Sequence, residues 1–117
     1  MKKYKIGEKE LRLITQDELS WEHVKQISAL VLELKLELEK RGIDINDKAR
    51  IGDVILFAMS SSLSDRMIAC VLTENGEFDK NLVSYILQNT GKLKPQEGRE
   101  ILDHFFGLIP QLLEMLI

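Results

Sequence analysis

Aromatic side chains are scarce in this sequence, at 6% of 117 residues, so base-stacking platforms for single-stranded nucleic acid have little to be built from. Two prolines and seven glycines exclude collagen-like and proline-rich chains. One cysteine, Cys70, leaves no internal disulfide to form, and a reducing cytoplasm is the simplest setting for such usage. No uninterrupted apolar stretch approaches the ~20 residues of a membrane helix. The opening residues alternate charge, where a secretory leader would show an apolar run of ~7–15 residues. No membrane partner is expected. A strong basic excess is also missing: the net charge is −3, so no nucleic-acid partner is expected either. The short cluster Lys2, Lys3, Lys5 reads as a solvated chain end.

What is present is a folding composition, 44% hydrophobic and 30% charged, which is unlike a disordered chain. The length suits one domain over 1–117. Charge is uneven: residues 1–50 carry 11 Lys/Arg against 10 Asp/Glu, and residues 51–117 carry 5 against 9. In Tyr4-Lys5-Ile6-Gly7-Glu8-Lys9-Glu10-Leu11-Arg12-Leu13, alternating apolar residues flank a glycine-containing turn. This predicts a two-stranded hairpin over 1–14 that must lean on something else. The remainder, 15–117, reads as helical. The predicted fold class is mainly α, a single-domain bundle of about five to six helices with a small N-terminal β-hairpin.

Thr15 with Glu18 three positions on is a helix-start signal, and Gly42 after Lys40 and Arg41 is a stop. The first helix is therefore expected from Thr15 to about Arg41. Val24, Ile27, Val31, Leu34 and Leu38 form one apolar stripe along it. Leu32 and Leu36 fall on nearly the opposite side, beyond what one core needs. Residues 31–38 also alternate partly like a strand, but Leu, Glu and Lys favour helix. Asn46 or Asp47 suits the cap of a second helix. The run Val54 to Met59 is apolar nearly all round and predicts, with the helix bearing Cys70, the central buried element. Ser60, Ser61 and Ser62 predict a break near Ser61, with Ser62 capping the next helix. Asn75-Gly76 marks a turn. Asp79 is the expected cap of a helix ending near Asn89 to Gly91, and Phe78 is its staple onto Val83. Pro95 suits a helix start. Pro110 should kink the chain or begin a last short helix.

Reactive chemistry is hard to assemble from these residues. His23 and His104 stand apart, without the converging ligands zinc requires. Cys70 lies among Ile68, Ala69, Val71 and Leu72 as a small hydrophobe. The serine run has no GxSxG frame and no lysine three residues on. Asp44-Ile45-Asn46 opens like a calcium loop, but Ala49 and Ile55 stand where Gly and Glu are required. No catalytic, cofactor or metal residue is assigned, and the chain is expected not to be an enzyme. The unusual segment runs from His104 to Ile117, with Glu114 its single acidic or basic side chain apart from His104. Such a stretch must be buried, either on its own domain or against a partner.

In outline the chain resembles the tail assembly chaperones of long-tailed bacteriophages and prophages. The extended opening Tyr4 to Leu13, the long first helix, the apolar helices of Ile55 to Thr73 with the turn Thr73-Glu74-Asn75-Gly76, and the closing Ile101-Leu102-Asp103-His104-Phe105-Phe106 carry the resemblance. It implies a cytoplasmic, non-enzymatic protein that forms homo-oligomers and covers a helical client, the tape-measure protein, until tube subunits displace it. Leu32 and Leu36 are then expected at a subunit contact. Phe105, Phe106, Leu112, Leu113 and Leu116 are expected at a client contact. The competing expectation is a small regulatory or adaptor protein, such as a phage-encoded inhibitor, that binds one partner.

Overall fold

Apolar alternation, capping side chains and glycine turns build eight elements in the computed structural model, which describes residues 2–44 and 47–116. The expected cap at Asn46 lies outside the described residues. Strands β1 (Tyr4–Ile6) and β2 (Lys9–Leu13) pair antiparallel, with Tyr4 opposite Leu11 and Ile6 opposite Lys9. Gly7 turns the hairpin at φ +62°, and a side chain there would collide with the Tyr85 hydroxyl. That hydroxyl instead accepts a hydrogen bond from the Glu8 N–H at 3.0 Å. Tyr4, Ile6, Leu11 and Ile14 are all buried, so the hairpin is part of the core.

What the hairpin leans on was not anticipated. Leu72 and Thr73, expected to extend a helix and its following turn, form strand β3 (Leu72–Thr73), with Leu72 opposite Leu13 and Thr73 opposite Arg12. The sheet order is β1-β2-β3. Helix periodicity stops there because the edge of β2 offers backbone partners that a further helical turn would leave unmet.

Thr15 and Glu18 do pair, since the Glu18 carboxylate accepts from the Thr15 N–H at 2.9 Å. Yet they open only a single 3-10 turn, Gln16–Glu18, after which Leu19 is extended. Glu18 is held by a second partner, Arg12, at 2.7 and 2.5 Å, which ties that turn to β2. The long helix α1 (Trp21–Lys40) starts at a second cap, Ser20. The Ser20 N–H donates to His23 Nδ1 at 3.0 Å, and the Ser20 hydroxyl lies 2.8 Å from the same nitrogen. His23 thus fills the third-position role that Glu or Gln usually holds in a capping box. The far end closes as expected. Gly42 sits at φ +71°, and the Gly42 and Ile43 N–H groups donate to Glu39 and Leu38 carbonyls at 3.0 and 2.9 Å, the pairing of a glycine-terminated helix.

Helix α2 (Ile51–Ser60) follows a 3-10 turn over Lys48–Arg50, where Asp47 accepts from the Ala49 N–H. Helix α3 (Ser62–Val71) meets α2 at a 93° bend. The break falls at Ser61 as predicted, but Ser61 itself is the cap, accepting from the Leu63 N–H and donating to the Ala58 carbonyl. Only α3 is central. Seven of its ten residues are buried, and it packs on α1, α2, α4 and α5. The expectation that Val54 to Met59 is central is corrected: Val54 and Ala58 are buried, while Leu56 and Met59 are exposed.

Asn75 accepts from the Glu77 N–H at the predicted turn. Asp79 caps α4 (Lys80–Asn89), accepting from Asn81 and Leu82. Helix α5 (Pro95–Leu116) begins at Pro95 and runs through Pro110 without ending. The new helix start predicted at Pro110 is therefore corrected. Pro110 removes one N–H from the ladder, but its ring lies on the exposed side, while Leu108 and Leu112 on either side of it are buried. Packing of that face carries the helix across the defect.

Side-chain bonds fasten the hairpin to α5. The Tyr4 hydroxyl donates to Glu100 at 2.9 Å, Lys2 reaches the same oxygen at 2.5 Å, and His104 Nε2 meets the Ile14 carbonyl at 2.7 Å. The result is a mainly helical domain with a radius of gyration of 13.9 Å, close to the ~13 Å of a compact 100-residue domain.

Candidate protein-binding surface

His23, His104 and Cys70 are occupied in holding the fold. His104 is the bridge from α5 to the end of β2. His23 lies buried edge-on to Phe78, with ring centroids 5.4 Å apart, and burial holds its pKa below the ordinary imidazole value. Cys70 is buried, and desolvation pushes its thiol up to about 12, far from the range of a reactive thiolate. Among the described residues no group of three or more His, Cys, Asp or Glu side chains is placed to hold a metal ion. No single helix among them is long and apolar enough to cross a membrane.

The features left over are apolar and outward. Trp21 is 68% exposed, Leu32 58% and Leu36 49% on α1. Leu56 is 66% exposed on α2, and Leu113 55% on α5. Met59 and Leu87 are exposed as well. Beside α1 lies an apolar hollow of about 350 Å³ between α1, α3 and α4, walled by Leu30, Cys70, Phe78, Val83 and Leu87. Across its rim Arg66 pairs with Glu33 at 2.7 Å. The staple partners Phe78 and Val83 both line it.

The expected site residues divide. Leu32 and Leu36 stand outward on α1, away from the buried stripe, which consists of Val24, Ile27, Leu30, Leu34 and Leu38. Val31, expected in that stripe, is half-buried and Leu30 takes its place. Phe105 and Leu112 are not at the surface at all, and their assignment to a client contact is corrected. Phe105 is 0% exposed and Leu112 5%, because the continuous α5 packs that stripe onto the core. Phe106 is half-buried, edge-on to Phe105 at 5.5 Å. Among the described side chains of the group Leu113 alone is exposed, and the Leu116 side chain lies outside the described residues.

Trp21, Leu56, Met59 and Leu87 were missed. A signal existed for two of them. Trp21 stands eleven residues before Leu32, three helical turns, and so shares its face. Asp53 and Ser60 are exposed and flank Leu56 at spacings of three and four, marking the outer face of an otherwise apolar helix. Compared with known proteins, the chain matches no family model, no curated protein and no solved structure.

Proposed function

We propose that this protein is a non-enzymatic binding protein of the tail-assembly-chaperone kind, which self-associates and covers the apolar stripe of a helical client, the tape-measure protein, in the cytoplasm of the producing cell. The observation that carries the reading is α2. A ten-residue helix turns Leu56 and Met59 to the outside, although the domain has other apolar residues enough to fill its core. Large side chains left exposed together mark contact sites on soluble proteins. A contact burying Leu56, Met59 and one or two client side chains at ~1.5–3 kcal/mol each, less the cost of association, gives binding that a polymerising tube could displace.

Co-expression tests it. A tape-measure fragment produced with the wild-type chain is expected in the soluble fraction and in one complex with it. Co-expression with the L56E/M59E variant is expected to leave the fragment insoluble. A fragment equally soluble with and without the chain would refute the client, and the single-partner adaptor reading would then take precedence.

A further inference from the structure

On α1, Trp21, Lys25, Ala29, Leu32 and Leu36 follow a 4-4-3-4 spacing, and all five are exposed. Residues so spaced lie along one face, here opposite the buried stripe and about 22 Å long at 1.5 Å per residue. It has the make-up of a helix–helix seam. Ala29, next to Ser28, leaves room for close approach near the middle. Leu32 and Leu36 supply apolar knobs, and Trp21 anchors one end.

The charges around the seam select its occupant. Near its start stand Glu22 and Lys25; near its end stand Glu39 and Lys40. A second copy of α1 laid parallel and in register sets Glu22, Lys25, Glu39 and Lys40 each against its own like charge. Laid antiparallel about a two-fold axis near residue 31, it brings Lys25 to the partner's Glu39 and Glu22 to the partner's Lys40. The existing pairs, Lys25 with Glu22 at 2.8 Å and Lys40 with Glu37 at 3.1 Å, are short-range contacts within the helix, and exposed pairs of that kind exchange at little cost. In the same register Leu32 faces the partner's Ala29, Leu36 rests on the stem of Lys25, and Trp21 meets the partner's Lys40, a cation over an indole. One patch meets itself, as a two-fold contact requires.

We infer that the outer face of α1 is a self-recognition surface, joining two copies of this chain as an antiparallel α1–α1 pair. This rests on the self-association part of the function proposed above and gives it a geometry. It also leaves the outer face of α2 to the client.

Cysteine cross-linking of the full chain with a brief oxidant tests the pair, since Cys70 is buried and is expected to react slowly. With the axis near residue 31, two copies of position 36 stand about ten residue steps, or ~15 Å, apart along the seam, beyond the reach of a disulfide. Position 36 of one copy stands beside position 25 of the other. Mixed Lys25→Cys and Leu36→Cys chains are expected to cross-link with each other, and Leu36→Cys chains alone are not. The emission of Trp21, the sole tryptophan, is expected to shift to the blue as wild-type concentration rises. The L32E/L36E variant, altered only at exposed positions and checked for unchanged helix content, is expected to associate about 100-fold more weakly. Leu36→Cys chains that cross-link with themselves would overturn the antiparallel register. A dimer unaffected by L32E/L36E would overturn the face. A wild-type chain that stays monomeric with constant emission at every concentration would overturn both. Client binding is read separately by co-expression, so loss of the pair and loss of the client are distinguishable.

Discussion

Replacing Phe105 with alanine separates a core role from a surface role on α5. Phe105 is 0% exposed and stands edge-on to Phe106 at 5.5 Å. Truncating a buried phenylalanine removes its transfer free energy and leaves a cavity, together worth about 3–5 kcal/mol. Domains of this size have only about 5–15 kcal/mol in total, so F105A takes away about a fifth or more of the stability. With a urea slope of about 1.5–2 kcal/mol per molar, the midpoint should fall by about 2 M, followed by far-ultraviolet circular dichroism. The contrast is Leu113→Ala. Leu113 is 55% exposed, and a surface substitution there should stay within about 0.5 kcal/mol. An F105A midpoint within experimental error of wild type would refute the placement of this helix face.

Three more outcomes are expected. Cys70 should label slowly with a thiol reagent in native buffer and quickly in denaturant, since burial both hides the sulfur and holds its thiol at about 12; fast native labelling would contradict the position of α3. Ser61→Ala should cost about 1 kcal/mol as a lost helix cap, measured by urea titration, with no change expected if the α2–α3 bend does not depend on that hydroxyl. Stability should fall on acidification in two windows. Burial lowers the pKa of His23 below its unfolded value near 6.5, so the unfolded chain binds more protons and stability declines as pH drops below about 6.5. Glu18, drawn down to about 2 chiefly by its hydrogen bond to Arg12, loses its contribution as pH falls from about 4.5 through 2. His23→Gln, which keeps a side-chain acceptor for the Ser20 N–H, should erase the first window and leave the second; a wild-type midpoint flat between pH 7 and 5 would refute the His23 assignment.

Local signals were the legible ones. Gly7, Gly42, Ser61, Asn75-Gly76, Asp79 and Pro95 each act through one or two backbone groups nearby, and each marks a real boundary to within a residue. The misreadings all came from tertiary competition. Thr15 and Glu18 have a sound cap, but Arg12 claims the same carboxylate, and a second cap at Ser20 begins the long helix. Leu72 and Thr73 continue a helical pattern until the edge of β2 offers them a ladder. Pro110 breaks an isolated helix, yet buried Leu108 and Leu112 hold this one together. The site was half legible for the same reason. Leu32 and Leu36 are outward because α1 has a complete buried stripe without them. The fate of Phe105 and Leu112 depended on how α5 packs on the core, which no local pattern decides. In α2 the apolar run concealed its outer face, which only Asp53 and Ser60 betray.

A binding titration tests the central claim most directly. A fluorescently labelled helical fragment of a tape-measure protein would be titrated with the wild-type chain and with L56E/M59E, with anisotropy as the readout. Saturable binding by the wild type, weakened by about 100-fold or more in the variant while helix content and unfolding midpoint stay unchanged, is the predicted result. Equal affinity for both proteins, or no saturable binding by the wild type, would contradict the account.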